Sequence, residues 1–375
     1  MTQPEKAQKT VVVGMSGGVD SSVAAYLLKE QGYRVIGLFM KNWEEKDENG
    51  VCQSAAEYAD VVKVCEKLDI PYYAIEFVQE YWDNVFTQFV AEYKAGHTPN
   101  PDILCNREIK FNVFFKKAME LGADFLATGH YCRREIIDGE ARLLKGVDAG
   151  KDQTYFVYTL KKQILDKVLF PIGHLEKSRV REIAQTSGLP THDKKDSTGI
   201  CFIGERNFRN FLSQYVAAKP GSFKLLDGTT VGRHLGVAYY TMGQRRGLGL
   251  GGAGERWFVV GKDIERNVVY VERGENHPAL FADYLLGTEA SWVAEREPEL
   301  PLRCLAKVRY RQEDQWCTVQ KLSTGELRVE FDCPQRAIAA RQSVVFYDGA
   351  ICLGGAIIEA PGPSYFVQKR EMHVS

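Results

Sequence analysis

Over the first two hundred residues, short apolar runs alternate with longer stretches whose apolar residues recur at helical spacing. Residues 10–13 end in Val11, Val12 and Val13, an unbroken run of the kind a strand buried on both faces shows. Residues 23–28 then open a helix and residues 33–40 form a second strand. A helix over 54–68 follows, with Ala55, Ala59, Val62 and Cys65 at helical spacing, then a third strand at 70–75. Helices are predicted at 81–95 and 108–121, the second ended by Gly122, with a strand at 124–128 between it and Gly129. Residues 175–188 and 207–216 read as further helices. This order predicts an α/β domain on a doubly wound parallel sheet, which takes ligands at the C-terminal ends of its strands. Gly14, Met15, Met40 and Gly129 stand at those ends.

The pattern changes after Lys219, Pro220 and Gly221. Short β-type runs at 222–223, 237–240, 257–260 and 267–271, with turn residues such as Asp227 and Gly228 between them, predict a small all-β module. From about Phe281, evenly spaced runs at 304–310, 316–321, 327–331, 343–347 and 351–359 predict a small β-barrel. The expected domains are therefore 1–217, 218–280 and 281–375, a number that fits a 375-residue chain. There is no internal repeat.

Composition narrows the setting. The formal net charge is −1, so binding to nucleic acid would require a local basic surface. No run of eighteen apolar residues exists, and residues 1–9 are polar with no signal core, so a cytoplasmic protein with no membrane span is expected. Nine dispersed cysteines without a Cys-x-x-Cys pair read as neither a zinc ribbon nor a disulfide framework. No metal site is expected from them; most should be buried small apolar residues.

The chemistry starts at the turn after the first strand, formed by Gly14, Met15, Ser16, Gly17, Gly18, Val19, Asp20, Ser21 and Ser22. Glycines and hydroxyls between a strand and a helix make a phosphate site, where backbone and helix N–H groups meet an oxyanion. The turn lacks both Gly-x-x-x-x-Gly-Lys-Ser/Thr and Gly-x-Gly-x-x-Gly. Asp20 suits a Mg²⁺ or capping role rather than phosphate itself. Two more stretches stand out. In residues 98–106, two prolines enforce a rigid loop that displays Asn100, Asp102, Cys105 and Asn106 before a helix expected near Arg107; a cysteine there gains thiolate character. In residues 197–202, Cys201 follows a polar loop with Lys194 and Lys195 nearby. The alternation from Arg303 to Arg311 puts its charges on one face of a strand.

The turn resembles the Ser-Gly-Gly-x-Asp-Ser loop of pyrophosphatase-type ATP-binding enzymes, which cleave ATP between the α and β phosphates and adenylate a substrate oxygen. The order of that loop, Asn100-Pro101-Asp102 with Cys105-Asn106, Ala127 to Tyr131, Lys151-Asp152-Gln153 and Gly199 to Phe202 is similar to the bacterial tRNA-specific 2-thiouridylases over essentially the whole chain. The resemblance implies ATP, with Mg²⁺, on Gly14 to Ser21, Met40 and Gly129. It implies Asn100, Pro101 and Asp102 at the target base, Cys105 as nucleophile, Cys201 as persulfide carrier, and a disulfide between the two during turnover. Asp102 is the candidate proton-handling group. It assigns His130, Lys151, Asp152, Gln153, Arg309, Tyr310 and Gln342 to tRNA. The expected partners are the anticodon arm with its wobble uridine and a persulfide sulfur-donor protein; a monomer is expected. Two other readings stay open on the residues alone: a nitrogen-delivering enzyme with the same loop, which needs no cysteine pair, and an ATP-gated RNA-binding module without catalysis.

Overall fold

The computed structural model describes residues 8–43, 53–196 and 208–371. Its first layer is a parallel sheet of β1 (Thr10–Met15), β2 (Arg34–Lys41), β3 (Tyr72–Glu76), β4 (Phe125–Ala127) and β7 (Val168–Leu169), in the order β3-β2-β1-β4-β7. Val11, Val12 and Val13 are fully buried in β1, as an apolar run covered on both faces requires. Helices α1 (Val19–Glu30) and α2 (Gln53–Lys67) connect the first three strands. Chain order reverses between β1 and β4, so the crevice beyond their C-terminal ends is the topological switch point.

The predicted helix at 81–95 runs from Val78 to Lys94 with a π-helical stretch at Trp82–Phe86, and the one at 108–121 starts earlier, at Pro101. A hairpin of β5 (Cys132–Ile137) and β6 (Glu140–Lys145) went unread in the sequence. Its turn is Asp138–Gly139, both at positive φ, the two-residue hairpin geometry that Asp-Gly favours.

A four-stranded sheet follows, of β8 (Gly221–Lys224), β9 (Thr230–His234), β10 (Trp257–Asp263) and β11 (Val268–Arg273), ordered β10-β11-β8-β9. The run at 237–240 is not a strand. Val237–Tyr239 is a 3-10 turn whose N–H groups bond three residues back: Tyr239 to Gly236 at 3.2 Å and Tyr240 to Val237 at 3.3 Å.

The third unit is a barrel of β12 (Phe281–Trp292), β13 (Leu302–Lys307), β14 (Gln315–Lys321), β15 (Leu327–Arg336), β16 (Ser343–Asp348) and β17 (Ile351–Pro361), ordered β12-β15-β14-β13-β16-β17 and closed by pairing of β17 with β12. Closure removes the sheet edges. Cys304, Ala306 and Val308 point inward, with Cys317, Val319, Val329, Phe346 and Ile358 from the other strands. The hairpin β5–β6 joins this barrel through Leu144 opposite Ile351, which ties the first unit to the last.

Candidate functional site

The turn after β1 has the predicted architecture. Gly18 is the N-cap of α1, and Gly17 has a φ of 72°. A Cβ on Gly17 would lie 2.6 Å from the carbonyl oxygen of Glu57 in α2, so only glycine fits. Gly129, at the end of β4, packs against the start of α1: a Cβ there would lie 2.9 Å from the Ser21 nitrogen. The backbones of the two strand ends thus approach with no side chain between them, beside the N–H groups that open α1. Met15 is buried, and Met40, half-buried at the end of β2, packs on the neighbouring core.

The three hydroxyls divide their work. Ser21 accepts from the Ser16 N–H at 3.2 Å and donates to the Gly18 carbonyl at 3.3 Å. Ser22 donates to the same carbonyl at 2.8 Å and accepts from Thr191 at 3.0 Å. Both are buried and shape the loop, whereas Ser16 is exposed. Asp20, in the first turn of α1, does not cap the helix. It accepts from the Tyr131 hydroxyl at 2.8 Å and from Lys177 Nζ at 2.7 and 2.9 Å.

Sequence reasoning missed what surrounds this turn. Lys177 also reaches Asp196 at 2.9 Å, and Asp196 takes Lys151 at 2.8 Å and Arg181 at 2.6 Å. Burial alone would raise the Asp196 carboxyl, but Lys151 and Lys177 outweigh it and hold the group below the usual carboxylate range. Lys194 donates to the Gly17 carbonyl at 3.0 Å and pairs with Asp60 at 2.8 Å. The signal was present as single lysines and aspartates, but nothing in their spacing brings residues 20, 151, 177 and 196 together.

The second stretch is not the loop its prolines predicted: Pro101 opens a helix, so Asp102, Cys105 and Asn106 are helical, and Cys105 and Asn106 are buried. Asn100 is the N-cap of the helix that begins at Pro101, and its side chain accepts from the Asp102 N–H at 3.2 Å. Cys105 therefore sits a turn inside the helix rather than at its N-terminus, and its own N–H bonds back to the Pro101 carbonyl. It is 1 % exposed. From Cys105 to Phe114 the helix is π-helical, with Phe111 at φ −99° and ψ 18°, a local irregularity common at functional sites. Phe114, at the end of this stretch, lies against Gly14 of the phosphate turn. Cys201, with the whole stretch 197–202, lies outside the described residues. Cys65, Cys132, Cys304, Cys317 and Cys352 are buried; burial pushes the Cys65 thiol up to about 12.

The remaining predicted residues are spread over the first unit and its contacts with the other two. His130 is buried beside Phe111 and Phe170, with Nδ1 2.8 Å from the Thr128 hydroxyl; burial, with Lys110, holds it well below its ordinary value. Asp152 is buried and accepts from the Gly146 and Thr154 N–H groups, both at 3.2 Å. Gln153 accepts from the Tyr131 N–H at 3.0 Å. Tyr310 packs on Phe156 at 4.4 Å, and the Phe156 carbonyl accepts from Asn106 at 2.9 Å. Arg309 Nη2 donates to the carbonyls of Met242 and Ala337, each at 2.8 Å. Gln342 donates to the Thr98 carbonyl. Arg309, Tyr310 and Arg311 follow β13 rather than extend it, and the outward charges on that strand are matched, Arg303 by Asp332 and Lys307 by Asp314. A groove of about 530 Å³ beside the glycine run carries Arg245, Arg246, Arg256 and Trp257.

Among the described residues, no group of three or more His, Cys, Asp or Glu is placed to hold a metal ion, and no helix is long and apolar enough to cross a membrane.

Three stretches of the chain match family descriptions. Residues 9–205 match the family described as tRNA methyl transferase HUP domain, 209–273 the tRNA methyl transferase PRC-barrel domain, and 282–358 the aminomethyltransferase beta-barrel domain. A tRNA-specific 2-thiouridylase of Protochlamydia amoebophila is 66 % identical over 368 residues, 98 % of each chain. One of Geobacillus kaustophilus is 59 % identical over 349 residues, 93 % of this chain and 94 % of the relative. Among solved structures, the U34-tRNA thiolase NcsA of Methanococcus maripaludis aligns over 56 % of this chain and 66 % of its own, with 21 % identity and a TM-score of 0.35. With relatives this similar over nearly the full chain, the protein belongs to the family of tRNA-specific 2-thiouridylases.

Proposed function

We propose that this chain replaces O2 of a tRNA wobble uridine by sulfur, using ATP to activate the oxygen and two cysteines to deliver the sulfur. As a member of its family it is a tRNA sulfurtransferase. The observation that carries the detailed reading is the helix from Pro101: it opens on Asn100 and Asp102, bears Cys105, and sets Phe114 against Gly14 of the phosphate turn before running on to Glu120. One continuous segment thus joins the candidate base-binding residues, the candidate nucleophile and the nucleotide turn.

The turn suits ATP. Gly17 and Gly129 let the turn close on α2 and on the start of α1, where a Cβ would clash, the N-terminus of α1 opens at this turn, Ser16 is exposed, and Lys177 and Lys194 supply positive charge. Met40 is the candidate contact at the end of β2. Asp20 and Asp196 are already matched by cations, so Mg²⁺ would arrive on the phosphates rather than in a preformed carboxylate cage.

A uridine carbonyl oxygen is a poor leaving group. Adenylation of O2 releases pyrophosphate and makes that oxygen depart as AMP. The terminal sulfur of a Cys201 persulfide attacks C2, leaving the base joined through sulfur to Cys201. Cys105 then attacks the Cys201 sulfur, which closes a disulfide and releases 2-thiouridine. A separate two-electron dithiol reductant reopens the disulfide to the Cys105 and Cys201 thiols, and the donor's persulfide then passes its terminal sulfur to Cys201 and leaves as a thiol. Asp102, one turn before Cys105, is the group proposed to take its proton. The target base must leave its stack at a cost of a few kcal/mol; His130, Asp152, Gln153, Arg309, Tyr310 and Gln342 are the proposed tRNA contacts, with Lys151, whose carbonyl accepts from Tyr310 and whose ammonium pairs with Asp196, between them and the nucleotide turn. The reaction belongs to the cytoplasm, with tRNA and a persulfide donor as partners and a single chain as the working unit. The proposed division of labour gives residues 1–217 to the nucleotide and the chemistry, and 218–280 and 281–375 to support of the RNA.

The test is mass spectrometry of wobble nucleosides after incubation of the full chain with ATP, unmodified tRNA and a persulfide donor. Appearance of 2-thiouridine with stoichiometric AMP is the expected result. AMP formation without sulfur in the base would refute sulfur transfer.

A further inference from the structure

We propose that Asp196 is a resident counter-anion of the nucleotide site, which holds Lys177, Arg181 and Lys151 in the nucleotide-free protein and yields them to the phosphates when nucleotide binds. The proposal rests on the ATP reading of the Gly14–Ser21 turn and adds residues that lie outside that turn.

The geometry is specific. Lys177 opens the helix Lys177–Thr186, its side chain is only 11 % exposed, and its ammonium bridges Asp20 of the phosphate turn and Asp196. Arg181, one turn further along the same helix, reaches the same Asp196 oxygen at 2.6 Å, and Lys151 reaches the other at 2.8 Å. Asp148 accepts from the Lys177 N–H at 3.0 Å and so orients the start of the helix. Lys194 flanks the turn from the other side, on the Gly17 carbonyl and Asp60. Lys151, Lys177 and Arg181 face Asp20 and Asp196, with Asp148 on the Lys177 N–H, so the three cations are charge-matched until a polyphosphate brings further negative charge.

Three cations converging on one carboxylate at the mouth of a phosphate cradle match what a phosphate group requires, since Arg and Lys donate to phosphate and carboxylate oxygens with the same charge-assisted geometry. A polyphosphate carries more charge than one carboxylate and can take over these donors. Asp196 then has two effects. It keeps the cations ordered and charge-matched when no nucleotide is present. It also competes with the phosphates, so nucleotide affinity is set below its maximum and departing pyrophosphate is replaced by a group already in place.

The experiment measures binding of inorganic pyrophosphate and of a non-hydrolysable ATP analogue to the full chain by titration calorimetry, at low and high salt. Asp196→Asn is expected to bind pyrophosphate about fivefold more tightly than the wild type, because a competing, partly exposed ion-pair partner is removed. Asp196→Glu, which keeps the charge, should stay near wild type. Lys177→Met should weaken binding and cancel the gain in the double variant, while Lys177→Arg retains it. Unchanged or weaker binding by Asp196→Asn, with Ser16→Ala still impaired, would overturn the counter-anion role and leave the nucleotide turn standing. Absence of any binding by the wild type would overturn the nucleotide reading, and this proposal with it.

Discussion

Replacing Arg309 by alanine tests the seam between the units most directly. Its Nη2 donates to Met242 in the loop before β10 and to Ala337 just beyond β15. Ala337 is 1 % exposed and has a φ of 53°, so its carbonyl is held in a fixed direction by a backbone that cannot relax easily. Truncation leaves both carbonyls without this donor. Each unsatisfied buried group costs about 1–3 kcal/mol. Arg309 is only partly enclosed, so water recovers part of the loss, and about 2–3 kcal/mol is the reasoned total. Burial and the neighbouring Arg336 already hold the guanidinium below its usual range, so some of the lost pairing is offset by removing an enclosed charge. The expected result is a melting temperature lower by several degrees, with faster amide exchange at residues 242–244 and 336–338. A second readout concerns RNA: if Arg309 also meets a phosphate, the slope of log affinity against log salt flattens by about 0.7–0.9. An unchanged melting temperature with unchanged exchange would refute the bracing argument. An unchanged salt slope would remove the phosphate contact while leaving the brace intact.

Gly17→Ala should cost about 1–2 kcal/mol for the left-handed backbone, plus displacement of α2 from the Glu57 carbonyl, and should raise the KM for ATP; Gly32→Ala, also at positive φ but with nothing within 4 Å, is the control that should lose stability without losing ATP use. Because burial holds His130 well below its ordinary value of 6.5, the unfolded chain takes up a proton that the folded chain refuses. The His130 contribution is therefore full above about pH 6.5 and declines as pH falls below it, so His130→Asn should show a shallower loss of stability from pH 6.5 to 5 than the wild type; parallel pH profiles would contradict this. Cys201→Ser should abolish thiolation while AMP formation on tRNA persists, and Cys105→Ser should stall with the base joined through sulfur to Cys201, a covalent tRNA–protein adduct that added dithiol releases. Peptide mapping of the wild type after turnover without reductant should find a Cys105–Cys201 disulfide; a bond between other cysteines would reassign the roles.

Much of the architecture is written in local pattern. The valines of β1, the glycine turn and the helix after it are legible because each needs only its neighbours: an apolar run must be buried, and a strand-to-helix turn at positive φ must be glycine. The evenly spaced strands of the barrel are legible for the same reason, since inward and outward residues alternate along each. What the pattern does not fix is which surfaces meet. The Asp138–Gly139 hairpin joins a barrel two hundred residues later because Leu144 comes to lie opposite Ile351, and no local rule specifies that partner. Val237–Tyr239 reads as a strand by composition but turns into a 3-10 loop because its N–H groups bond locally instead of to a neighbouring strand. Cys105 reads as a cysteine at a helix start, yet the Asn100 cap begins the helix a turn earlier and burial encloses the thiol. The charges follow the same division. Asp20 is visible in the motif, but its pairing with Lys177, and the gathering of Lys151, Lys177 and Arg181 on Asp196, exist only once the sheet and its helices bring distant segments to one crevice. Sequence determines which groups are able to meet an anion; the tertiary fold decides which of them do, because electrostatic pairing depends on distances that only the packed chain sets.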